Sequence, residues 1–213
     1  MAERWATFDC YGTLIDWNGG IRRELARIFG EERADGLLHR YHELEPEIEH
    51  AEPTAGYREV LARALEQLGA PDGERNALGD SLPSWTPFPE VSAALEAARS
   101  RGWRLAILSN TDRDFIEASK AKLGVPFDVT IVASEIGSYK PALGHWHAFE
   151  RATGRLPDVH VAASLFHDVA PANGLGLPTV WVNRLGERAD PEPSREIAEL
   201  SPLPDVLDEL VPA

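Results

Sequence analysis

The chain contains a single cysteine, Cys10, among its 213 residues. An internal disulfide is therefore excluded, and scarce cysteine is typical of the reducing cytoplasm, where we expect this protein to lie. The opening residues MAERWATFDC lack a basic segment followed by an apolar one, so we expect no signal peptide. No apolar run approaches the roughly 18 residues that a membrane-spanning helix needs.

Positive charge is also scarce. The 21 Lys and Arg residues stand against 35 Asp and Glu, which gives a net charge of −14. Such a protein repels nucleic acid and anionic lipid, so we expect neither as a partner. It also repels small anionic substrates, and a site for an anion would need cations of its own. Hydrophobic residues make up 43% of the chain, enough for a buried core in one large domain or in a core domain with an insertion.

The first 90 residues contain one short apolar segment and then three stretches with helical spacing. RWATF, residues 4–8, reads as a buried strand. The helical stretches are GGIRRELARIFG, ADGLLHRYHELEPEIEH and AGYREVLARALEQLGA. Pro46 predicts a bend or a break in the second of them. The proline-rich segment SLPSWTPFPE reads as a linker.

From Glu90 onward, segments typical of strands alternate with segments typical of helices. The predicted strands are WRLAILSN, FDVTIVAS, VHVAAS and PTVWVN, and residues 188–196 read as a loop. This alternation predicts an α/β fold with a Rossmann-like parallel sheet covered on both faces. Residues 1–16 and 89–213 then form the core domain, and residues 17–88 form an inserted helical cap domain.

Four segments, in this order, resemble the motifs of the haloacid dehalogenase (HAD) superfamily. They are FDCYGTLID, LAILSN, SYKP and SLFHD, and each follows or ends a predicted strand. The carboxyl ends of parallel strands are where ligands bind in such sheets. The resemblance covers about residues 4–185, and it identifies Asp9 as a nucleophile.

Tyr11 separates two branches of that superfamily. Its phosphatases usually carry a second acid at this position, which protonates an alkoxide leaving group. They also carry a magnesium-binding acid where this chain has Ala163. The resemblance is instead to the L-2-haloacid dehalogenases, because a halide leaves as a stable anion and needs no proton. It implies a hydrolase that converts short 2-haloalkanoic acids to 2-hydroxy acids with inversion, without metal or cofactor.

The resemblance also implies roles for individual residues. Asp9 would form an aspartyl ester that water hydrolyses, and Lys140 would keep Asp9 ionised. Asp168 would orient Lys140 or position the water. Arg40, in RYHELE, has the spacing of a cap arginine that binds halide and carboxylate. The remaining residues expected to bind substrate are Tyr11, Thr13, Ser109, Asn110, Trp146, Ser164 and His167. A homodimer is suggested by the resemblance alone.

Some residues depart from the dehalogenase pattern. Leu165 stands where those enzymes have an asparagine, and His167 stands where they have a tryptophan. Three alternatives therefore stay open: a magnesium-dependent HAD phosphatase, a hydrolase of another activated carbon such as a strained ring, and a non-catalytic relative. Arg40 could equally be a surface residue paired with Glu43, and Trp146 could be a core residue.

Overall fold

The computed structural model describes residues 3–212, and its centre is a six-stranded parallel sheet in the order β3-β2-β1-β4-β5-β6. Met1, Ala2 and Ala213, the ends of the predicted core domain, lie outside the described residues. The strands are β1 (Arg4–Phe8), β2 (Trp103–Ser109), β3 (Val129–Val132), β4 (Val159–Ala162), β5 (Thr179–Val182) and β6 (Arg195–Ile197). The predicted α/β fold is confirmed.

One strand lies partly where the sequence predicts only a loop. β6 begins inside the segment 188–196 and pairs with β5, with Trp181 opposite Glu196. Two of its three residues are exposed, so it carries no run of apolar residues that would reveal a strand. The position of β6 is determined by backbone hydrogen bonds to β5 at the edge of the sheet, and a hydrophobic pattern does not predict such bonds.

Four helices lie within residues 17–88, the segment predicted as a helical insertion. They are α1 (Trp17–Phe29), α2 (Glu31–Ala51), α3 (Tyr57–Gln67) and α4 (Ala77–Ser81). The predicted break at Pro46 is wrong, because α2 continues beyond it for five more residues. A proline inside a helix removes one backbone hydrogen bond, and here the residues packed on both sides of Pro46, Leu44 and Ile48 among them, hold the helix together.

The remaining helices cover the sheet. They are α5 (Val91–Ser100), α6 (Arg113–Leu123), α7 (Ala133–Ile136), α8 (Gly144–Thr153), α9 (Ala170–Gly174) and α10 (Leu203–Leu210), with one π-helical turn over Leu165–Val169. Across residues 3–212, no helix has both the length and the apolar character needed to cross a membrane.

The turn after β1 determines where the first motif lies. β1 is a central strand, paired with β2 on one side and β4 on the other. After Asp9 the chain turns sharply: the N–H groups of Leu14 and Ile15 both donate to the carbonyl of Cys10. Gly12 has φ +89°, a conformation that side chains disfavour. The turn brings Thr13 back beneath the Asp9 carboxylate.

Candidate active site

The Asp9 side chain lies at the carboxyl end of β1 and is held by two donors. Thr13 Oγ1 donates to Asp9 Oδ2 at 2.9 Å, and Lys140 Nζ donates to Oδ1 at 3.0 Å. Thr13 also accepts from the backbone N–H of Ala163, which ties the β1 turn to the end of β4. Asp9 is 8% exposed, so a ligand that enters from one side meets a fixed and largely desolvated carboxylate.

Lys140 joins Asp9 to Asp168. Its ammonium donates to Asp168 Oδ1 at 2.6 Å and to the carbonyl of Leu108 at 2.9 Å, so all three of its protons are engaged. Asp168 Oδ1 also contacts His160 Nε2 at 2.9 Å, and His160 Nδ1 lies 2.8 Å from Thr7 Oγ1. The two carboxylates therefore share one buried cation.

The pKa values of this group reflect competition between burial and charge. Burial alone would lower the pKa of Lys140, but Asp168 and Asp9 raise it above its usual value. Burial opposes ionisation of Asp168, yet Lys140 and His160 hold the pKa of that carboxyl well below its usual range. Burial raises the pKa of Asp9, and Lys140 and Thr13 oppose this shift. Ionised Asp9 therefore depends on Lys140.

A cavity of about 490 Å³ opens beside these residues. Its floor is formed by Asp9 and Ser109 at the ends of β1 and β2 and by Asp168 in the π-helical turn after β4, and the helical insertion contributes Trp17 and Glu49. A volume between about 300 and 1,000 Å³ is typical of sites for small organic ligands. The cavity lies at the edge of the sheet where the four motifs predict a site.

The second motif supplies one engaged residue and one free hydroxyl. Asn110 Oδ1 accepts from the Lys140 N–H at 2.7 Å, and Asn110 Nδ2 donates to the Lys140 carbonyl at 3.0 Å. This amide pair fixes the backbone that carries the lysine. Ser109 is 1% exposed, and among residues 3–212 its hydroxyl has no hydrogen-bond partner. Ser109 lines the cavity and makes no hydrogen bond to Asp9.

The fourth motif places a neutral imidazole in the cavity. Ser164 Oγ accepts from the backbone N–H of His167 at 3.0 Å and begins the π-helical turn. Burial lowers the pKa of His167 to about 4, so the ring is uncharged at neutral pH. His167 Nε2 is buried, has no hydrogen-bond partner in the described chain, and lies 3.8 Å from Glu49 Oε2. Ser164, His167 and Tyr11 all line the cavity, as expected.

Arg40 is not brought to the cavity. Its guanidinium is exposed and donates to Glu43 Oε2 at 2.6 Å, one turn along α2. The helix itself explains the position, because nine residues at about 100° each place Arg40 roughly 180° from Glu49, which faces the cavity. The expected position of Arg40 at the substrate is therefore corrected to a surface ion pair.

We expect Arg40→Gln to keep halide release within about twofold of the wild type, since an exposed pair of this kind contributes roughly 0–1 kcal/mol. The measurement is kcat/KM for halide release from 2-chloropropionate. Glu43→Gln, which breaks the same pair from the other side, serves as the matched control. A loss of about 100-fold in the Arg40 variant alone would restore this residue to the site.

Trp146 is also outside the cavity. Its ring is fully buried in a cluster with Trp5 and Phe149, and it meets His160 edge-on at 5.3 Å between ring centroids. The face of α8 that carries it packs on the sheet, so the tryptophan supports His160 from behind. The expectation that Trp146 binds substrate is corrected to a core residue.

Several cavity or supporting residues were not among those predicted for the site. Glu45 and Glu49 are spaced i, i+4 on α2 and face the cavity, a spacing that could have drawn attention to them. His160 contacts Asp168 from within β4, where it reads as an ordinary strand residue. Arg184 lines the cavity after β5, at a strand end like the others.

The cavity walls carry more negative than positive groups. The carboxyl side chains that line it are Asp9, Asp16, Glu45, Glu49, Asp168 and Glu187. The lining cations are Lys140 and Arg184; Arg184 Nη2 donates to Glu90 at 2.7 Å and to the carbonyl of Thr13 at 3.0 Å. Within residues 3–212, no group of three or more His, Cys, Asp or Glu side chains is arranged to hold a metal ion.

The sequence is similar to those of several known enzymes. Residues 4–164 match the family model described as haloacid dehalogenase-like hydrolase. Haloacetate dehalogenase H-2 of Moraxella sp. (strain B) is 30% identical over 191 residues, which cover 84% of this chain and 85% of that protein. (S)-2-haloacid dehalogenase 4A of Burkholderia cepacia is 27% identical over 98% of this chain and 94% of its own length.

A similar fold is found among solved structures of dehalogenases. The solved L-2-haloacid dehalogenase from Xanthobacter autotrophicus with chloropropionic acid covalently bound superposes with a TM-score of 0.80 at 21% identity. That superposition covers 97% of this chain and 98% of the other. At this level of identity, the match reports a shared fold.

Proposed function

Because this chain belongs to the haloacid dehalogenase-like hydrolases, we propose that it hydrolyses the carbon–halogen bond of short 2-haloalkanoic acids through a covalent ester on Asp9. The observation that carries the proposal is the Asp9 carboxylate, held by Lys140 and Thr13 at the cavity floor. Its relatives named as haloacid dehalogenases cover most of the chain, which supports the same chemistry.

In the first step, an Asp9 oxygen attacks the carbon that bears the halogen from the side opposite to it. The new carbon–oxygen bond forms as the carbon–halogen bond breaks, and the halide leaves with the electron pair. No proton is needed, which suits Tyr11 at this position: burial raises the pKa of its phenol well above the usual range, so it is a poor acid. Displacement from the rear inverts the carbon centre.

In the second step, water attacks the carbonyl carbon of the Asp9 ester and releases the 2-hydroxy acid. A base must take one proton from that water, and a proton must be returned to the oxygen of the departing 2-hydroxy acid. His167 and Asp168 line the cavity, and neither His167 Nε2 nor Asp168 Oδ2 accepts a hydrogen bond from the described residues, so we propose one of these two groups as the acceptor for this proton. Ser109, whose hydroxyl is free, would donate to the substrate carboxylate.

We also propose that residues 17–88 act as a cap domain that closes over the cavity and excludes bulk water during displacement. Contributions of Trp17, Glu45 and Glu49 to the cavity wall support this division. A cytoplasmic location and a homodimer stay predictions, the first from the single cysteine and the second from the resemblance.

The test is halide release from chloroacetate and (S)-2-chloropropionate, before and after treatment with EDTA. We expect the same rate in both cases, because Lys140 supplies the charge that Asp9 and Asp168 need. Hydrolysis of p-nitrophenyl phosphate with Mg²⁺ is measured in parallel. Phosphate release that EDTA abolishes, without halide release, would favour the phosphatase and contradict the proposal.

A further inference from the structure

The helical insertion provides one wall of the cavity, and this wall carries acidic side chains. An anionic substrate would need a cation there. Glu45 and Glu49 extend from one face of α2, and they are 7% and 4% exposed. Arg40 lies on the opposite face. A carboxylate at the far end of a substrate would therefore meet two buried acids at this wall.

The two glutamates differ in the number of hydrogen bonds that their carboxylate oxygens accept from the protein. Glu45 Oε1 accepts from the hydroxyl of Tyr57 at 2.6 Å and from that of Tyr41 at 3.4 Å. Glu49 Oε2 accepts from Asn110 Nδ2 at 3.1 Å, and among residues 3–212 no donor reaches Glu49 Oε1. Glu49 thus retains an unused acceptor beside the cavity.

No cation of the described chain neutralises either glutamate at close range. Lys140 is held by Asp9 and Asp168, and Arg184 by Glu90. Burial accordingly raises the pKa of Glu45 to about 7 and the pKa of Glu49 well above its usual range. Buried acids without a cationic partner are costly to ionise, and a positive ligand would lower that cost.

Aromatic rings complete the same wall. Trp17 and Tyr57 line the cavity together with the glutamates, and Trp17 Nε1 donates to the Tyr57 hydroxyl at 3.1 Å. Trp17 also stacks on His42, with ring centroids 5.2 Å apart and an interplanar angle of 9°. Burial lowers the pKa of His42, so this ring adds no positive charge at neutral pH. Aromatic rings beside carboxylates are a combination that binds organic cations.

We propose that the substrate carries a cationic nitrogen at the end remote from the halogenated carbon, bound between Glu49 and the rings of Trp17 and Tyr57. The proposal rests on the function proposed above for the reacting end. The cavity of about 490 Å³ leaves room for such an extension beyond a short haloacid at Asp9. Glu49 and its aromatic neighbours would then determine specificity.

Two pairs of compounds test whether the site recognises a positive charge, because the two members of each pair have nearly the same shape. The first pair is 4-(trimethylammonio)butanoate and 5,5-dimethylhexanoate, which differ only in nitrogen against carbon and have no leaving group. Their binding to the wild-type protein is measured by calorimetry. The second pair consists of their 2-chloro derivatives, for which kcat/KM of chloride release is measured. We expect the cationic member to be preferred about tenfold in each pair.

Glu49→Gln should abolish that preference, because the amide keeps an acceptor but cannot become negative. Glu47→Gln is the matched control, since Glu47 is exposed on the same helix and outside this cavity. It should keep the wild-type ratio. Circular dichroism verifies that both variants are folded.

Equal or tighter binding of the uncharged compound, or no detectable binding of either, overturns the proposal, as does a ratio that Glu49→Gln leaves unchanged. The two proposals fail separately. If the cationic compound binds more tightly but no 2-chloro derivative loses chloride, the dehalogenase function is wrong and the cation site stands. If 2-chloro-5,5-dimethylhexanoate loses chloride as fast as its cationic partner, the dehalogenase function stands and the cation site is wrong.

Discussion

Replacing Asp9 with asparagine should lower halide release by at least about 10⁴-fold, because the residue supplies the atom that bonds to substrate carbon. Binding of substrate should change far less, since the amide has nearly the same shape and its single oxygen still accepts from Lys140. The assay is chloride release from (S)-2-chloropropionate, with mass spectrometry to verify that the introduced amide has not reverted to the acid by deamidation. The fold should be unaffected, because the side chain keeps its size.

Asp16→Asn is the matched control for that variant. Asp16 lines the same cavity, but it caps α1 by accepting from the Gly19 N–H at 3.0 Å, a role that asparagine also fills. It should keep activity near that of the wild type. An Asp9→Asn enzyme with a tenth or more of the wild-type rate would be incompatible with covalent catalysis by this carboxylate.

An isotope measurement addresses the same step directly. Water attacks the carbonyl carbon of the ester, so one oxygen of Asp9 is exchanged for a solvent oxygen in each turnover. After turnover in H₂¹⁸O, the peptide that contains Asp9 should gain mass, and the product of a single turnover should carry ¹⁶O. Label in the product and none in Asp9 would indicate direct attack of water on the substrate.

Replacing Lys140 with methionine should remove activity and also destabilise the fold. The ammonium is 1% exposed and contacts Asp9 at 3.0 Å and Asp168 at 2.6 Å, so its loss leaves two buried carboxylates facing each other. Removing one partner of a buried ion pair typically costs about 3–5 kcal/mol. We expect a decrease of that size in the free energy of unfolding by urea, together with undetectable halide release.

Two further variants separate the role of Lys140 in stability from its role in catalysis. Lys140→Met combined with Asp168→Asn removes one of the uncompensated charges, and it should recover part of the stability but none of the activity. Lys120→Met breaks a surface pair with Glu117 and should cost less than about 1 kcal/mol. A Lys140→Met protein as stable as the Lys120→Met protein would show that the buried network contributes little to folding.

Arg40, expected to bind substrate from the cap, shows a limit of prediction from sequence. The spacing in RYHELE matches a family pattern, but spacing along a chain does not say which face of a helix meets the rest of the protein. The packing of Tyr41, Leu44 and Ile48 orients α2 and leaves Arg40 in solvent. The same rotation brings Glu49 to the cavity, so this wall carries a carboxyl group where a cation was expected.

The alternation of strand-like and helix-like segments predicted a parallel sheet. The positions of Asp9, Lys140 and Asp168 in segments that end or follow its strands predicted one shared site. The first inference holds because hydrophobic periodicity is a local property of a chain, and the second because the carboxyl ends of parallel strands meet at one edge of their sheet. Contacts between distant segments decided the rest: His160 beneath Asp168, Trp146 in the core, and Glu49 opposite the nucleophile. These contacts depend on how each helix is rotated and packed against the sheet. The packing, and not the spacing of residues along the chain, then determines which ionisable side chains are buried without a partner of opposite charge.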